Sequence, residues 1–166
     1  FFILGRGSNV LAADEGYKGL VIKISNSKFQ ILNSKIIAEA GTSLGQLVNA
    51  AANIGLEGLE WASGIPGTIG GAIYGNAGTK EECIGDVVKT AEVFDVKANR
   101  VRKLSKKECK FDYRDSIFKR KKHLVILSCQ IQLKKGDQRE IKRMVGKFIS
   151  DRRETQPLNL PSVGSV

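Results

Sequence analysis

Apolar and polar residues alternate with a period of two along several short segments of the chain, which is typical of β-strands with one buried face. Strands are predicted at residues 1–4, 20–24, 29–32, 35–40, 87–96 and 101–104. Asn33-Ser34 and Ala98-Asn99 are typical turn residues, so they predict two β-hairpins. The clearest alternation occupies residues 123–133, with its apolar face at Val125, Leu127, Cys129, Ile131 and Leu133.

A period of 3.6 residues predicts two helices. The first begins after Thr42 or Ser43 as its cap and stops at Gly55; its apolar face is Leu44, Leu47, Val48 and Ala51. The second covers residues 137–154, ends before Pro157, and has its apolar face at Ile141, Met144, Val145, Phe148 and Ile149. A capping box from Ser105 to Glu108 predicts a short helical turn. Because the helices are too few to connect every pair of strands, the predicted fold class is α+β.

Composition narrows the possible classes of protein. The chain has 166 residues, of which 42% are hydrophobic, so it can bury the core of one medium domain or two small ones. No apolar stretch approaches the roughly 20 residues that span a bilayer, so we expect no membrane partner. The first residues lack the features of a signal peptide. Three cysteines without paired spacing predict reduced thiols in a cytoplasmic protein, and a single histidine with no Cys-x-x-Cys pair predicts no metal site.

The net charge of +10 has two interpretations: a nucleic-acid surface, or a field that attracts anionic small molecules. Much of the excess lies in residues 118–123 and in the second helix, whose basic residues Arg139, Lys142, Arg143, Lys147 and Arg153 fall largely outside its apolar face. No aromatic residues stand among these charges as stacking platforms. The favoured interpretation is a solvated helix surface, and we expect no nucleic-acid partner.

The segment "GRGSNV", residues 5–10, is the first of two glycine-rich loops. Two glycines after an apolar segment leave several backbone N–H groups open, which suits a bound diphosphate. Ser8 and Asn9 add side-chain donors. The G-x-G-x-x-G pattern and the Walker lysine are both absent, so a plain tight turn is the alternative interpretation.

The second glycine-rich loop lies in "ASGIPGTIGGAIYGNAG", residues 62–78. This density of glycine exceeds the need of a single turn, and Pro66 fixes the backbone in its midst. The backbone is therefore expected to run close to something flat or extended. Two such loops predict the opposite walls of a site for a bound dinucleotide. Trp61, beside the loop, is predicted to be a core residue.

Five ordered motifs carry a resemblance to a known family: "LGRGSNVL", "GLEGLEWASGIPGTIGGAIYGNAG", "FDYRDSIFK", "DRRETQP" and "PSVGSV". Together they resemble the UDP-N-acetylenolpyruvoylglucosamine reductase (MurB) family of peptidoglycan synthesis. The resemblance covers essentially the whole chain. It implies a flavoprotein with the FAD-binding fold of the vanillyl-alcohol-oxidase (PCMH) type, in which FAD lies between two α+β subdomains.

The resemblance also implies a set of site residues. Arg114 would hold the enolpyruvyl carboxylate of the substrate, with Tyr113 beside it, and Ser165 would be the proton donor. The implied FAD-binding residues are Gly5, Arg6, Gly7, Ser8, Asn9, Val10, Ile65, Pro66, Gly67, Thr68, Gly70, Gly71, Asn76 and Gly78. The implied reaction is the NADPH-dependent reduction of UDP-N-acetylglucosamine enolpyruvate to UDP-N-acetylmuramate, in the cytoplasm, for cell wall biogenesis.

The resemblance divides the chain into three parts. Residues 1–25 correspond to the remainder of a first FAD-binding subdomain, residues 26–155 to a second, and residues 156–166 to the start of a C-terminal substrate-binding domain. Because the family's C-terminal glutamate has no counterpart, the chain alone is expected to be inactive. Where the family commonly reads "NAGAYG", this chain has Thr79-Lys80-Glu81 after Gly78, which leaves the path of that loop open.

Two alternatives stay open from the sequence. The first is another FAD-dependent oxidoreductase of the same superfamily, which Arg114 and the Ser165 motif disfavour. The second is a basic nucleotide- or RNA-binding module that uses the second helix. The flavin absorbance of a purified protein separates the second alternative from the flavoproteins.

Overall fold

The structure is a computed structural model that describes residues 1–156. Nine strands are described in that range: β1 Phe2–Leu4, β2 Val21–Lys23, β3 Phe29–Leu32, β4 Lys35–Glu39, β5 Leu56–Glu57, β6 Val88–Asp95, β7 Arg100–Ser105, β8 Leu124–Gln132 and β9 Lys134–Lys135. Six α-helices accompany them: α1 Leu44–Asn53, α2 Ile69–Gly75, α3 Ile84–Val87, α4 Lys106–Cys109, α5 Ile117–Arg120 and α6 Gln138–Thr155. A 3-10 turn covers Glu60–Ala62.

A five-stranded antiparallel sheet organises the fold, in the order β3-β4-β8-β6-β7. The two predicted hairpins are confirmed: β3 pairs with β4 around Asn33, and β6 pairs with β7 around Asn99. Both asparagines have positive φ, which their short polar side chains tolerate. The predicted α+β composition is therefore present, and residues 1–156 contain no helix long and apolar enough to cross a membrane.

The core lies between one face of this sheet and the helices. The whole apolar face predicted for α1 is buried, and Trp61 is 1% exposed, as predicted for a core residue. The capping box of α4 is confirmed, since Ser105 Oγ accepts a hydrogen bond from the Glu108 N–H. In α6, Ile141 is buried, and Val145 and Phe148 pack against the core. The basic residues predicted outside the apolar face of α6 are exposed.

The alternation predicted for β8 is wrong in one half of the strand. Cys129, Ile131 and Leu133 belong to the main core cluster as predicted, but Leu127 and the buried Val125 lie outside that cluster. Between β8 and β6 the register shifts, because Glu92 pairs with Ser128 while Val93 pairs with Ile126. Leu127 is the extra residue of this bulge, and one extra residue transfers the following side chains to the opposite face.

The opposite face of the sheet meets the two-stranded parallel sheet of β1 and β2. An apolar cleft of about 470 Å³ lies between them, lined by Phe1, Ile3, Ile22, Phe94, Val96, Val125 and Leu127. Val125 and Leu127 thus face a second apolar surface across this cleft, which explains why β8 is hydrophobic on both faces over this half.

The second glycine-rich segment, predicted to be a loop, contains the helix α2. Thr68 caps it, and its Oγ1 accepts a hydrogen bond from the Gly71 N–H. The helix runs close to β4: a Cβ built at Gly70 would lie 2.8 Å from Ala40 Cβ and 2.9 Å from Ala40 O. At this position the close partner of the glycine is the protein's own sheet.

Replacing Gly70 by alanine is expected to lower the free energy of unfolding by about 1–3 kcal/mol, because the added methyl group would push α2 away from β4. Gly146 is the matched control, since it is an exposed helical glycine with no atom within 4 Å of a built Cβ. Gly146→Ala is expected to stabilise the protein by roughly 0.5–1 kcal/mol through helix propensity. Urea unfolding curves of both variants measure the difference, and equal shifts would contradict the close approach.

Candidate functional site

The first glycine-rich loop follows β1 and leaves its backbone donors unused. Within residues 1–156, no N–H group from Gly5 to Asn9 donates a hydrogen bond, while the Val10 N–H donates to Gly7 O at 3.3 Å. Arg6, Asn9 and Val10 are exposed, and the loop glycines and Ser8 are half-buried. Consecutive free N–H groups form a concave donor surface that suits an anion such as a diphosphate.

The two glycine-rich loops meet at their tips. Ser8 Oγ donates a hydrogen bond to Pro66 O at 3.2 Å. A Cβ built at Gly5 would lie 2.8 Å from Thr68 Oγ1, and one built at Gly67 would lie 3.0 Å from Ser8 Oγ. These contacts leave no room for larger side chains, so glycine at these two positions is what allows the loops to touch.

The backbone of the second loop is largely committed to the fold. The Ile69 N–H donates to Thr42 O and the Gly70 N–H to Ala40 O, both at 2.9 Å. Ile65 packs against the core. Within residues 1–156 the N–H groups of Gly67 and Thr68 donate no hydrogen bond, so these two are the donors of residues 65–71 that face the first loop and are available to a ligand.

Asn76, at the C-terminal end of α2, is a buried residue whose side chain links two other segments of the chain. It adopts a left-handed conformation with φ 44° and is 6% exposed. Its Oδ1 accepts from the Gly85 N–H at 3.0 Å, and its Nδ2 donates to Asp112 O at 2.8 Å. The side-chain amide is therefore engaged inside the protein, and its assignment to FAD stays a prediction. Gly78 next to it packs tightly against the Glu82 carbonyl.

Arg114 lies in a tight turn that α2 also anchors. Asp112 and Asp115 exchange backbone hydrogen bonds of 3.0 and 3.1 Å across it, and Ser116 Oγ donates to Tyr74 O at 2.7 Å. The Arg114 backbone is left-handed, with φ 51°. An arginine in this strained conformation is held there by its surroundings, which is common at functional sites.

The side chain of Arg114 is exposed and forms no ion pair within residues 1–156. Its guanidinium carbon lies 5.9 Å from the centre of the Tyr113 ring. Tyr113 is 82% exposed and is therefore not a core aromatic residue. Both side chains are therefore accessible to a ligand.

A pocket of about 320 Å³ borders Arg114 and Tyr113 and is shared with Lys106, Cys83 and Glu82. Burial raises the pKa of Glu82, and the nearby carboxylates of Glu60, Asp86 and Glu81 raise it further. Burial also raises the pKa of Cys83, as does its hydrogen bond to Asp86. Arg114 and Lys106 supply the positive charge that this pocket offers to an anionic ligand.

All three cysteines are unpaired thiols, as predicted. Burial raises the pKa of Cys109 to about 11 and that of Cys129 to about 12. These two thiols stay protonated near neutral pH, so they are core residues without nucleophilic character. Within residues 1–156 no cluster of three or more potential ligand side chains is placed to hold a metal ion.

Helix α2 connects the two groups of predicted site residues. Its N-terminal end contacts the first loop through Thr68, and its C-terminal end holds the Arg114 turn through Tyr74 and Asn76. Seven residues of helix separate the two ends by about 10 Å. The predicted catalytic residue Ser165 lies outside the described residues.

Sequence reasoning missed two features of the site: the helix inside the glycine-rich segment and the hydrogen bonds of the buried Asn76 side chain. Thr68 three residues before Gly71, in front of an apolar run, is an N-cap signal that could have located α2. No local pattern identifies the partners of Asn76, because Asp112 is distant in the sequence.

The fold and the paired loops define a flavin-binding class. The family described as FAD binding domain matches residues 1–105, and the chain belongs to this family. Along its whole length it is 46% identical to UDP-N-acetylenolpyruvoylglucosamine reductase of Caldanaerobacter subterraneus subsp. tengcongensis and covers 55% of that protein. It is 42% identical to the reductase of Clostridium novyi, covering 100% of this chain and 54% of the relative.

Solved structures agree with the sequence comparisons. The crystal structure of UDP-N-acetylenolpyruvylglucosamine reductase (MurB) from Thermus caldophilus superposes with a TM-score of 0.83 at 33% identity, over 98% of this chain and 58% of that one. The resemblance stated from the motifs is confirmed, as are the α+β FAD-binding fold and FAD as the cofactor. The chain spans a little more than half the length of the curated relatives it matches.

Proposed function

We propose that the whole protein is a flavoenzyme that uses NADPH to reduce UDP-N-acetylglucosamine enolpyruvate to UDP-N-acetylmuramate for peptidoglycan synthesis. The observation that carries the proposal is the arrangement along α2. A loop whose backbone donors have no acceptor in the described part of the chain lies at one end of this helix, and an exposed, conformationally constrained arginine lies at the other. The relatives named as reductases of this substrate class support it.

The residues of the first loop fit the diphosphate of FAD. Five consecutive N–H groups that have no acceptor within residues 1–156, from Gly5 to Asn9, can donate to phosphate oxygens, and the Gly67 and Thr68 N–H groups can donate from the facing loop. Gly5 and Gly67 leave the space that the Thr68 and Ser8 side chains occupy where the loops touch. Gly7, Ser8, Asn9 and Val10 complete this wall, while Gly70 and Gly71 position it from within α2. Bound FAD would supply the hydride for the reduction.

Arg114 is the residue we propose for the substrate carboxylate. A guanidinium is always charged near neutral pH and binds a carboxylate through two parallel hydrogen bonds. Negative charge grows on this part of an enolpyruvyl ether when hydride adds to its β-carbon, so the arginine stabilises the transition state more than the ground state. The exposed Tyr113 is proposed as a further substrate contact.

Ser165 is proposed to donate the proton to the α-carbon of the substrate as a general acid. The division of the chain into residues 1–25, 26–155 and 156–166 is likewise proposed. The described sheets are compatible with it, because β1 and β2 form a small sheet of their own. We further propose that the protein acts in the cytoplasm, since three unpaired thiols suit a reducing compartment.

The test is an anaerobic assay of the purified whole protein with NADPH and UDP-N-acetylglucosamine enolpyruvate. NADPH absorbance should fall only when the enolpyruvyl substrate is present, and the product should have the mass of UDP-N-acetylmuramate. A yellow protein that oxidises NADPH without reducing this substrate would favour another FAD-dependent oxidoreductase. A colourless protein that binds no FAD would contradict the proposal at its first step.

A further inference from the structure

Arg152, near the end of α6, has a different environment from the other basic residues of that helix. Its Nε donates to Ser63 O at 2.8 Å, and its Nη2 donates to Trp61 O at 3.4 Å. The side chain is half-buried, and this burial lowers its pKa. Within residues 1–156 no carboxylate forms an ion pair with it. A partly buried charge without a counter-ion is unfavourable unless its hydrogen bonds compensate, so the two carbonyls are its essential partners.

These carbonyls belong to the turn that leads into the second glycine-rich loop. The Ser63 N–H donates to Glu60 O and the Ile65 N–H to Ala62 O, which folds the chain back on itself. Gly64 between them has φ 75°, and a Cβ built there would lie 2.8 Å from Arg152 Cδ. The aliphatic part of Arg152 therefore fills the space beside Gly64, and its guanidinium holds the carbonyls on either side of Ala62.

The turn is the upstream anchor of the residues that touch the first loop. Downstream, Ile69 and Gly70 are tied to the main sheet by backbone hydrogen bonds to Thr42 and Ala40. Upstream, Arg152 ties Ser63 to α6, three residues before Pro66, whose carbonyl accepts from Ser8 Oγ. The segment that faces the first loop is thus held at both ends, and Arg152 provides the hydrogen bonds at its N-terminal end.

We propose that Arg152 is a positioning residue for FAD: through Trp61 and Ser63 it holds the second glycine-rich loop against the first. It acts on the backbone that faces the cofactor and not on the cofactor itself. The proposal rests on the assignment of FAD to the two loops and is independent of the substrate and of NADPH.

The test compares FAD binding by the whole protein carrying Arg152→Met with the protein carrying Arg153→Met. Arg153 is the matched control, since it is exposed and lies next to Arg152 on the same helix. FAD is removed, the dissociation constant is measured by quenching of flavin fluorescence, and the unfolding curve of each apoprotein gives its folded fraction. Arg152→Met should raise the dissociation constant by about tenfold or more, because charge-assisted hydrogen bonds are lost. Arg153→Met should change it by less than about twofold.

Two further measurements separate positioning from general stability. Added guanidinium ion should restore part of the FAD affinity of Arg152→Met and none of any loss in Arg153→Met. Combined with Ser8→Ala, Arg152→Met should give a non-additive change in the dissociation constant, because both variants loosen the same contact between the loops. If Arg152→Met does not fold, Arg152→Lys against Arg153→Lys carries the comparison, with a raised dissociation constant expected for the first alone.

Two results would overturn the proposal. One is an equal dissociation constant for the Arg152 and Arg153 variants. The other is a loss of affinity in Arg152→Met that its lower folded fraction explains in full, with strict additivity to Ser8→Ala. Because NADPH oxidation by the unmodified protein is measured separately, neither result bears on the proposed reaction.

Discussion

Replacing Arg114 by alanine in the whole protein is expected to lower kcat/KM for the enolpyruvyl substrate by about 100- to 1000-fold, the typical loss when one preorganised donor to developing charge is removed. Its side chain is exposed and makes no ion pair within residues 1–156, so the fold does not depend on it. The FAD content should therefore stay unchanged. Steady-state kinetics and the flavin absorbance of the same preparation measure the two effects together.

Arg114→Lys is the informative companion, since lysine keeps the charge but cannot form two parallel hydrogen bonds to a carboxylate. Its activity should fall between those of the unmodified protein and Arg114→Ala. Arg120 supplies a control. It is an exposed arginine near the same turn, and its guanidinium forms an ion pair with Asp115 at 3.6 Å. Loss of flavin in proportion to activity in Arg114→Ala would show that this arginine supports the cofactor and not the reaction.

Replacing Asn76 by alanine is expected to lower the free energy of unfolding by about 2.5–5.5 kcal/mol. The buried Gly85 N–H would lose its acceptor, at about 1–3 kcal/mol, and Asp112 O would lose one of its two donors, at about 0.5–1.5 kcal/mol, since the Asp115 N–H still donates to it. The left-handed backbone adds about 1 kcal/mol when asparagine becomes alanine. The Arg114 turn would lose one of its two connections to α2 and keep the Ser116 bond to Tyr74 O, so activity should fall in the fraction that remains folded.

Asn99→Ala is the matched control for this prediction. Asn99 also has positive φ, at 48°, but it is exposed in the turn between β6 and β7. Asn99→Ala should lower the free energy of unfolding by about 1 kcal/mol, which is the backbone contribution alone. Urea unfolding of both variants separates the two contributions. A similar loss in both would mean that the buried hydrogen bonds of Asn76 contribute little.

Local patterns predicted those parts of the fold that local physics determines. The apolar face of α6, the hairpins at Asn33 and Asn99 and the capping box at Ser105 depend on residues close in sequence, and all are confirmed. The apolar face predicted for β8 was wrong for the residues before Ser128, because the bulge at Leu127 depends on pairing with β6 and has no sequence signature of its own.

In the candidate site, too, the features that depend on neighbouring residues could be predicted and those that depend on distant residues could not. The first loop is recognisable because its glycines and polar residues are consecutive, whereas the direct contact between the two loops was not predicted, since glycine density indicated only two walls of one site. What the sequence could not show is which glycines serve the fold. Gly70 faces β4 because of a helix packing contact that no local pattern encodes. The bonds of Arg152 to Trp61 and Ser63 join residues far apart in the chain, so this arginine resembled any other charge on a basic helix.

The most direct test of the account is a crystal structure of the whole protein with FAD bound. The account predicts that the diphosphate oxygens lie within hydrogen-bonding distance of backbone N–H groups between Gly5 and Asn9, on the side that faces Gly67 and Thr68. A diphosphate bound elsewhere, with these N–H groups left to solvent, would contradict it.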